Sequence, residues 1–102
     1  MTGRELTQKE IAEVRLNYPP GTRIKLIRMD DNWAVPSGTR GTVKFVDDSG
    51  QLHPIWDNGR TLAIVPEVDI FRKLTELELQ EEQEFKQQDQ GEQRDFLEVQ
   101  SL

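Results

Sequence analysis

The sequence predicts a small, mainly β protein, in which a five-stranded barrel follows a short helix and precedes an acidic helical tail. Between residues 22 and 71, polar and apolar side chains alternate in short runs, as they do in strands with one buried face. Turn residues separate these runs, and a chain of 102 residues has room for only one small core. From residue 73 onward, Glu and Gln dominate.

The N-terminal helix has a complete start signal. Thr7 and Glu10 have the spacing of a capping box, in which each side chain binds the other residue's backbone N–H. Leu6 and Ile11 flank the box at the positions of a hydrophobic staple. Because the residue before a proline avoids the helical conformation, Pro19 ends the element, and we predict a helix over 8–17.

The pattern predicts five strands in the next fifty or so residues, most of them joined by tight turns. Gly50 and Gly59 mark the two clearest hairpin turns, in the runs DDSG and DNG. So few short strands cannot form a large sandwich, and we expect them to close into a small five-stranded barrel. The predicted strands are 22–28, 41–46, 51–56, 60–65 and 68–71.

The charge of the chain divides it into two segments. Residues 1–72 hold ten basic and ten acidic side chains, whereas residues 73–102 hold three basic and nine acidic ones, which accounts for the net charge of −6. We therefore treat 1–72 as the helix and barrel, and 73–102 as an acidic tail with a helix over 73–89 that Gly91 ends. Apolar side chains close the tail, with Phe96 the largest.

Catalysis is not expected. The chain has one histidine, His53, and no cysteine, and it contains none of the common nucleophile, zinc or phosphate-loop motifs. The acidic pairs at 30–31 and 47–48 lack the spacing of a calcium loop, so we expect no metal and no cofactor. The absence of an apolar signal core or a long apolar run favours a cytoplasmic protein.

Four runs lie in order within residues 18–72: YPPGTRI (18–24), PSGTRGTV (36–43), DDSG (47–50) and IWDNG (55–59). Together they resemble an uncharacterised family of SH3-like domains of unknown function, which is carried by phages, plasmids and integrative elements of Firmicutes. The resemblance implies this fold and the cytosol of a bacterial host, and it implies no particular activity. Pro54 departs from the family pattern, and because proline donates no ladder bond, we expect an edge strand or a bulge there.

Two tryptophans are candidate functional residues. Trp56 ends a strand before a turn, and we expect it to pack at the end of the barrel. Trp33 lies in a polar loop, where the sequence allows either an exposed binding anchor or an indole folded over the Pro36 turn. His53 is expected to be an ordinary strand side chain.

The acidic tail suggests the main functional hypothesis. A helix that displays carboxylates resembles nucleic acid to a basic groove, and small phage and plasmid proteins that inhibit host defence nucleases often use such charge mimicry. The habitat that the resemblance implies favours this hypothesis. We therefore predict a non-catalytic protein-binding accessory protein, in the manner of an anti-CRISPR or other anti-defence inhibitor. Its predicted partner-binding residues are Trp33, Glu78, Glu81, Glu82, Glu84 and Phe96.

Two alternatives remain open at this point. The first is a nucleic-acid-binding module whose phosphate contacts are Arg23, Lys25, Arg40 and Lys44. The second is a binder that sequesters a small nucleotide signal, although the sequence contains no phosphate-cradle motif for it. Neither the identity of the partner nor the oligomeric state follows from these residues.

Overall fold

The computed structural model describes residues 5–85. One helix, α1 (Gln8–Asn17), precedes four strands: β1 (Arg23–Arg28), β2 (Arg40–Val46), β3 (Leu52–Trp56) and β4 (Ile70–Lys73). The strands form one antiparallel sheet in the order β3-β2-β1-β4. A second helix, α2, occupies residues 76–85 of the described chain. The mainly β class and both helices agree with the prediction.

Helix α1 begins where its capping box predicts. The Glu10 N–H donates to Thr7 Oγ1 at 3.1 Å, and the Thr7 N–H donates to Glu10 Oε1 at 2.9 Å. The predicted bounds, 8–17, match the observed helix. Ile11 is buried, and Val14 and Tyr18 pack against the core, so the apolar residues of α1 attach the helix to the sheet.

The core lies on one face of the sheet. Alternate residues of β1, β2 and β3 point into it, which is the burial pattern expected from their period of two. Trp56 is buried as predicted, and its indole N–H donates to the Leu62 carbonyl at 2.9 Å. Gly41 faces this ring, and a Cβ at that position would lie 2.8 Å from Trp56 Cε3. The buried core is formed by Ile24, Leu26, Val35, Val43, Leu52, Trp56 and Ile64.

The predicted five-stranded barrel is not what the described residues show. The sheet has four strands and is not closed, and the predicted strand 60–65 contributes only an isolated bridge between Ile64 and Leu52. In this segment, side chains form hydrogen bonds with backbone C=O and N–H groups that a fifth strand would use for pairing. The Trp56 indole occupies the Leu62 carbonyl, and the buried Asp69 carboxylate accepts the Val65 N–H at 2.8 Å. Pro66 then offers no donor.

The expectation for Pro54 is confirmed. Strand β3 lies at the edge of the sheet, and the β2–β3 register shifts between Val43, which pairs with Pro54, and Phe45, which pairs with His53. Proline has no backbone N–H, and at an edge or a bulge its missing hydrogen bond does not interrupt the ladder between two inner strands.

Helix α2 starts later than predicted, because β4 extends to Lys73. Thr75 and Glu78 form a second capping box: the Thr75 N–H donates to Glu78 Oε1 at 2.9 Å, and the Glu78 N–H donates to Thr75 Oγ1 at 3.1 Å. The rest of the predicted helix, 86–89, lies outside the described residues, as do Gly91 and Phe96. Neither described helix is long and apolar enough to cross a bilayer.

Candidate functional site

A row of three cations crosses the outer face of the sheet. In the strand register, Lys25 of β1 is paired with Arg40 of β2 on one side and with Arg72 of β4 on the other. Arg23 lies two residues before Lys25 on the same strand and therefore on the same face. Like charges that lie directly opposite each other destabilise a sheet, so this arrangement calls for an anion. We call Arg23, Lys25, Arg40 and Arg72 the basic face.

Glu78 of α2 supplies one anion to the basic face. Its carboxylate accepts hydrogen bonds from Arg72 Nη1 at 2.7 Å and Nη2 at 3.0 Å. Its Oε2 also lies 3.6 Å from Arg40 Nη2 and 3.9 Å from Lys25 Nζ. The Glu78 side chain is only 15% exposed, so one carboxylate is enclosed by all three cations of the row.

Glu82, one helical turn after Glu78, supplies a second anion. Its Oε1 accepts from Arg23 Nε at 3.1 Å, and its Oε2 accepts from Arg23 Nη2 at 2.5 Å and from Arg40 Nη1 at 3.2 Å. Asp57, in the turn after β3, accepts two further bonds from Arg23, both of 2.8 Å. Residues four apart on a helix lie on one side of it, so α2 faces the sheet with this pair of carboxylates.

The pKa values of these groups follow from the contacts. The Arg72 guanidinium holds the pKa of the Glu78 carboxyl far below its usual range, and the Thr75 N–H contributes to the same effect. The hydrogen bond from Arg23 lowers the pKa of Glu82, with a smaller contribution from Arg40. Hydrogen bonds to Asp57 and Glu82 raise the pKa of Arg23. Both glutamates are therefore ionised at neutral pH.

The structure divides the predicted acidic residues into two groups. Glu78 and Glu82 face the sheet, whereas Glu81 and Glu84 are exposed and take no part in these ion pairs. The structure also brings together residues from two competing hypotheses. Arg23, Lys25 and Arg40, predicted to bind phosphate, contact Glu78 and Glu82, which were predicted to bind a protein partner. Lys44 is exposed at the β2 bulge and lies outside this cluster.

The sequence reasoning gave no functional role to Arg72 or Asp57, and it did not use a second capping pattern. Arg72 was assigned to the end of the barrel without a role, and Thr75-Glu76-Leu77-Glu78 repeats the capping pattern of Thr7 to Glu10. That second pattern predicts both the start of α2 and an inward-folded Glu78.

The Trp33 loop has a fixed backbone and an exposed side chain. The Trp33 N–H donates to Asp31 Oδ1 at 2.7 Å, and the Arg60 guanidinium donates to the carbonyls of Trp33 and Ala34. The Trp33 side chain is nevertheless 77% exposed, so it does not fold over the Pro36 turn. Of the two arrangements that the sequence allowed, the structure has the exposed indole.

A smaller aromatic patch lies on the outer face of β2 and β3. The rings of Phe45 and His53 stack with centroids 4.4 Å apart and an angle of 4° between planes. His53 Nε2 lies 2.8 Å from Asp47 Oδ2, and Phe45 and Ile55 remain about half exposed, at 51% and 42%. Although partial burial opposes it, the bond to His53 lowers the pKa of Asp47, together with the N–H groups of Gln51 and Ser49.

The geometry offers little to a metal or to a small nucleotide. Within residues 5–85, no group of three or more His, Asp and Glu side chains is placed to hold a metal ion. A cleft beside the basic face contains Arg23, Arg40 and Phe85, but Asp57, Glu81 and Glu82 also line it. These three carboxylates oppose the phosphates of a nucleotide.

These features define a small, mainly β domain whose sheet presents a basic face and whose loops present an exposed tryptophan. Residues 7–74 match the model of a family described as domain of unknown function DUF4314. The match covers more than half of the chain, and the protein belongs to this family. No curated protein and no solved structure gives a significant match.

Proposed function

We propose that this protein is a non-catalytic binding protein that recognises a protein partner through Trp33. The observation that carries the proposal is the contrast within the Trp33 loop, where hydrogen bonds fix the backbone while the indole is exposed. Tryptophan is the residue type most enriched at binding hot spots. A loop that is already ordered loses less conformational entropy on binding, so more of the contact energy contributes to affinity.

The sequence-derived role, an accessory factor of a mobile element that inhibits a basic host nuclease, is compatible with this site in a narrower form. Glu78 and Glu82 are engaged within the chain, so an electrostatic contact to such a partner would use the outward carboxylates, Glu81 and Glu84. The same helix then has one acidic side for its own sheet and another for the partner. As part of this proposal, we infer that the domain is related to SH3-like folds and that it is encoded by a phage or plasmid.

The first test needs no partner. Trp56 is buried and Trp33 exposed, so Trp33 should dominate quenching of the intrinsic fluorescence by acrylamide. Trp33→Phe should remove the accessible component and leave a protected one. A single protected component in the unchanged protein would contradict the proposal.

The second test uses affinity purification from a bacterial lysate, followed by titration with the purified captured protein. We expect Trp33→Ala to weaken binding about tenfold or more, as hot-spot truncations do. Leu16→Ala is the matched control, because Leu16 is 81% exposed on α1 and lies outside the Trp33 loop. Glu81→Lys with Glu84→Lys should weaken the same complex and reduce its dependence on salt. Equal affinities for Trp33→Ala and Leu16→Ala would refute the role of Trp33.

A further inference from the structure

The basic face is an anion-binding surface by construction. Four cations from three strands converge on it, and the register places Arg72, Lys25 and Arg40 directly beside one another. No single strand forms this surface; it exists only when β1, β2 and β4 are paired. In the structure, two carboxylates of α2 occupy it.

The helix that covers the basic face is held there by charge. The described apolar side chains of α2 do not enter the core: Leu77 is 66% exposed, Leu79 37% and Phe85 72%. The nearest buried apolar residue is Leu74, which precedes the helix. Removal of α2 from the face would therefore uncover ion pairs and leave the hydrophobic core closed.

The outer face of the sheet continues from cations to aromatic rings. Arg23 is paired with Thr42, and Thr42 is paired with Ile55, which brings the face to β3. Beyond the core-facing pair of Val43 and Pro54 and the bulge that follows it, the next pair on the outer face is formed by the stacked rings of Phe45 and His53. A basic surface that continues into exposed aromatic rings is the combination with which proteins bind single-stranded nucleic acid, because phosphates pair with the cations and bases stack on the rings.

We propose that the outer face of this sheet is a binding site for single-stranded nucleic acid, and that α2 occupies it in the free protein as a tethered competitor. Phosphates would take the positions of the Glu78 and Glu82 carboxylates, and a base would stack on Phe45. An acidic protein segment could replace the two carboxylates, but its acidic side chains would not stack on the rings of the aromatic patch. The observations therefore favour nucleic acid. The site is separate from the Trp33 loop, and either proposal can fail alone.

The test compares two pairs of substitutions that change the charge of α2 equally. Glu78→Gln with Glu82→Gln removes the carboxylates from the basic face, and glutamine retains the capping box at Thr75. Glu81→Gln with Glu84→Gln is the matched control, because both residues are exposed on the same helix and form none of the ion pairs with the basic face, although Glu81 lines the adjacent cleft. The probe is a fluorescent oligodeoxythymidylate of about twenty nucleotides, a length that spans a site of this class.

At low salt, we expect the double variant at Glu78 and Glu82 (the 78/82 pair) to bind the oligonucleotide at least about tenfold more tightly than the unchanged protein. The same difference should separate it from the double variant at Glu81 and Glu84 (the 81/84 pair). Asp57 stays on Arg23 in this variant, so Lys25, Arg40 and Arg72 offer three phosphate contacts, and the log–log slope of affinity against salt should be about −2. Adding Phe45→Ala should then reduce affinity about tenfold through lost stacking, and adding Arg40→Gln should lower both affinity and slope. Circular dichroism establishes folding, and Glu82→Gln alone, which leaves Glu78 in place, serves if the double variant unfolds.

Two results would overturn the proposal. Equal affinity of the 78/82 and 81/84 pairs would mean that only overall charge matters. A 78/82 variant that binds polyglutamate more tightly than the oligonucleotide would assign the face to an acidic protein instead.

Discussion

The two helices begin with the same local signal but attach to the sheet by different forces. Both α1 and α2 start at a Thr-x-x-Glu capping box. Helix α1 then buries Ile11 and packs Val14 and Tyr18 against the core, whereas α2 places Glu78 and Glu82 on the basic face. Apolar burial withstands salt and acid, but ion pairs at a surface do not. We therefore expect α1 to be a fixed part of the domain and α2 to detach more readily.

The largest expected effect lies on the α1 side of this comparison. Ile11→Ala should lower the free energy of unfolding by about 2–4 kcal/mol, because it removes a buried side chain and leaves a cavity. Leu77→Ala in α2, where the side chain is 66% exposed, should change it by less than about 0.5 kcal/mol. Urea denaturation measures both variants, and similar losses would contradict the difference between the helices.

Salt should separate the helices next. Near 1 M NaCl, the Debye length falls to about 3 Å, which weakens the contacts of Glu78 and Glu82 with the sheet. Amide hydrogen exchange in residues 76–85 should then accelerate several-fold, while the rates in Gln8–Asn17 stay nearly constant. Uniform acceleration of both helices would show that α2 is not held by charge.

Acid should act in the same direction as salt. Because the folded state lowers the pKa of Glu78 and Glu82, these groups stabilise the docked helix fully above the pKa of a free glutamate, about 4.3, and lose that effect as pH falls through their folded values. We expect the docking of α2 to weaken progressively as the pH falls below about 4.3, while α1 remains attached. Carbon-13 NMR of the glutamate carboxyl groups is the measurement, and titration of both groups at the free-glutamate pKa would exclude the ion pairs.

The smallest effects concern the helix starts. Thr7→Ala and Thr75→Ala should each cost about 1 kcal/mol of local helix stability. In α1 the loss should appear in the global free energy of unfolding, since that helix shares the core. In α2 it should appear only as faster amide exchange at residues 76–85, because undocking α2 does not open the core. A global loss from Thr75→Ala would show that α2 belongs to the same cooperative unit.

Local features were predictable where a residue's own neighbours determine its conformation. Helix 8–17 followed from one capping box and one proline pair, and the edge position of Pro54 followed from its missing donor. The predicted strand 60–65 was wrong because Leu62 and Val65 satisfy their backbone groups with the side chains of Trp56 and Asp69, and such side-chain-to-backbone bonds leave no mark in a pattern of alternation. The exposure of Trp33 was left open for the same reason, since Arg60 fixes that loop from another segment.

By itself, the sequence determined the mainly β class, the start of α1 at its capping box, the burial of Trp56 and the acidic excess after residue 72. Only the tertiary structure decided which charges meet. Strand register places Arg72, Lys25 and Arg40 side by side, although almost fifty residues of chain separate Lys25 from Arg72. Coulomb energy depends on distance in space, so the choice between carboxylates that pair internally and carboxylates that face a partner becomes visible only after the sheet has formed.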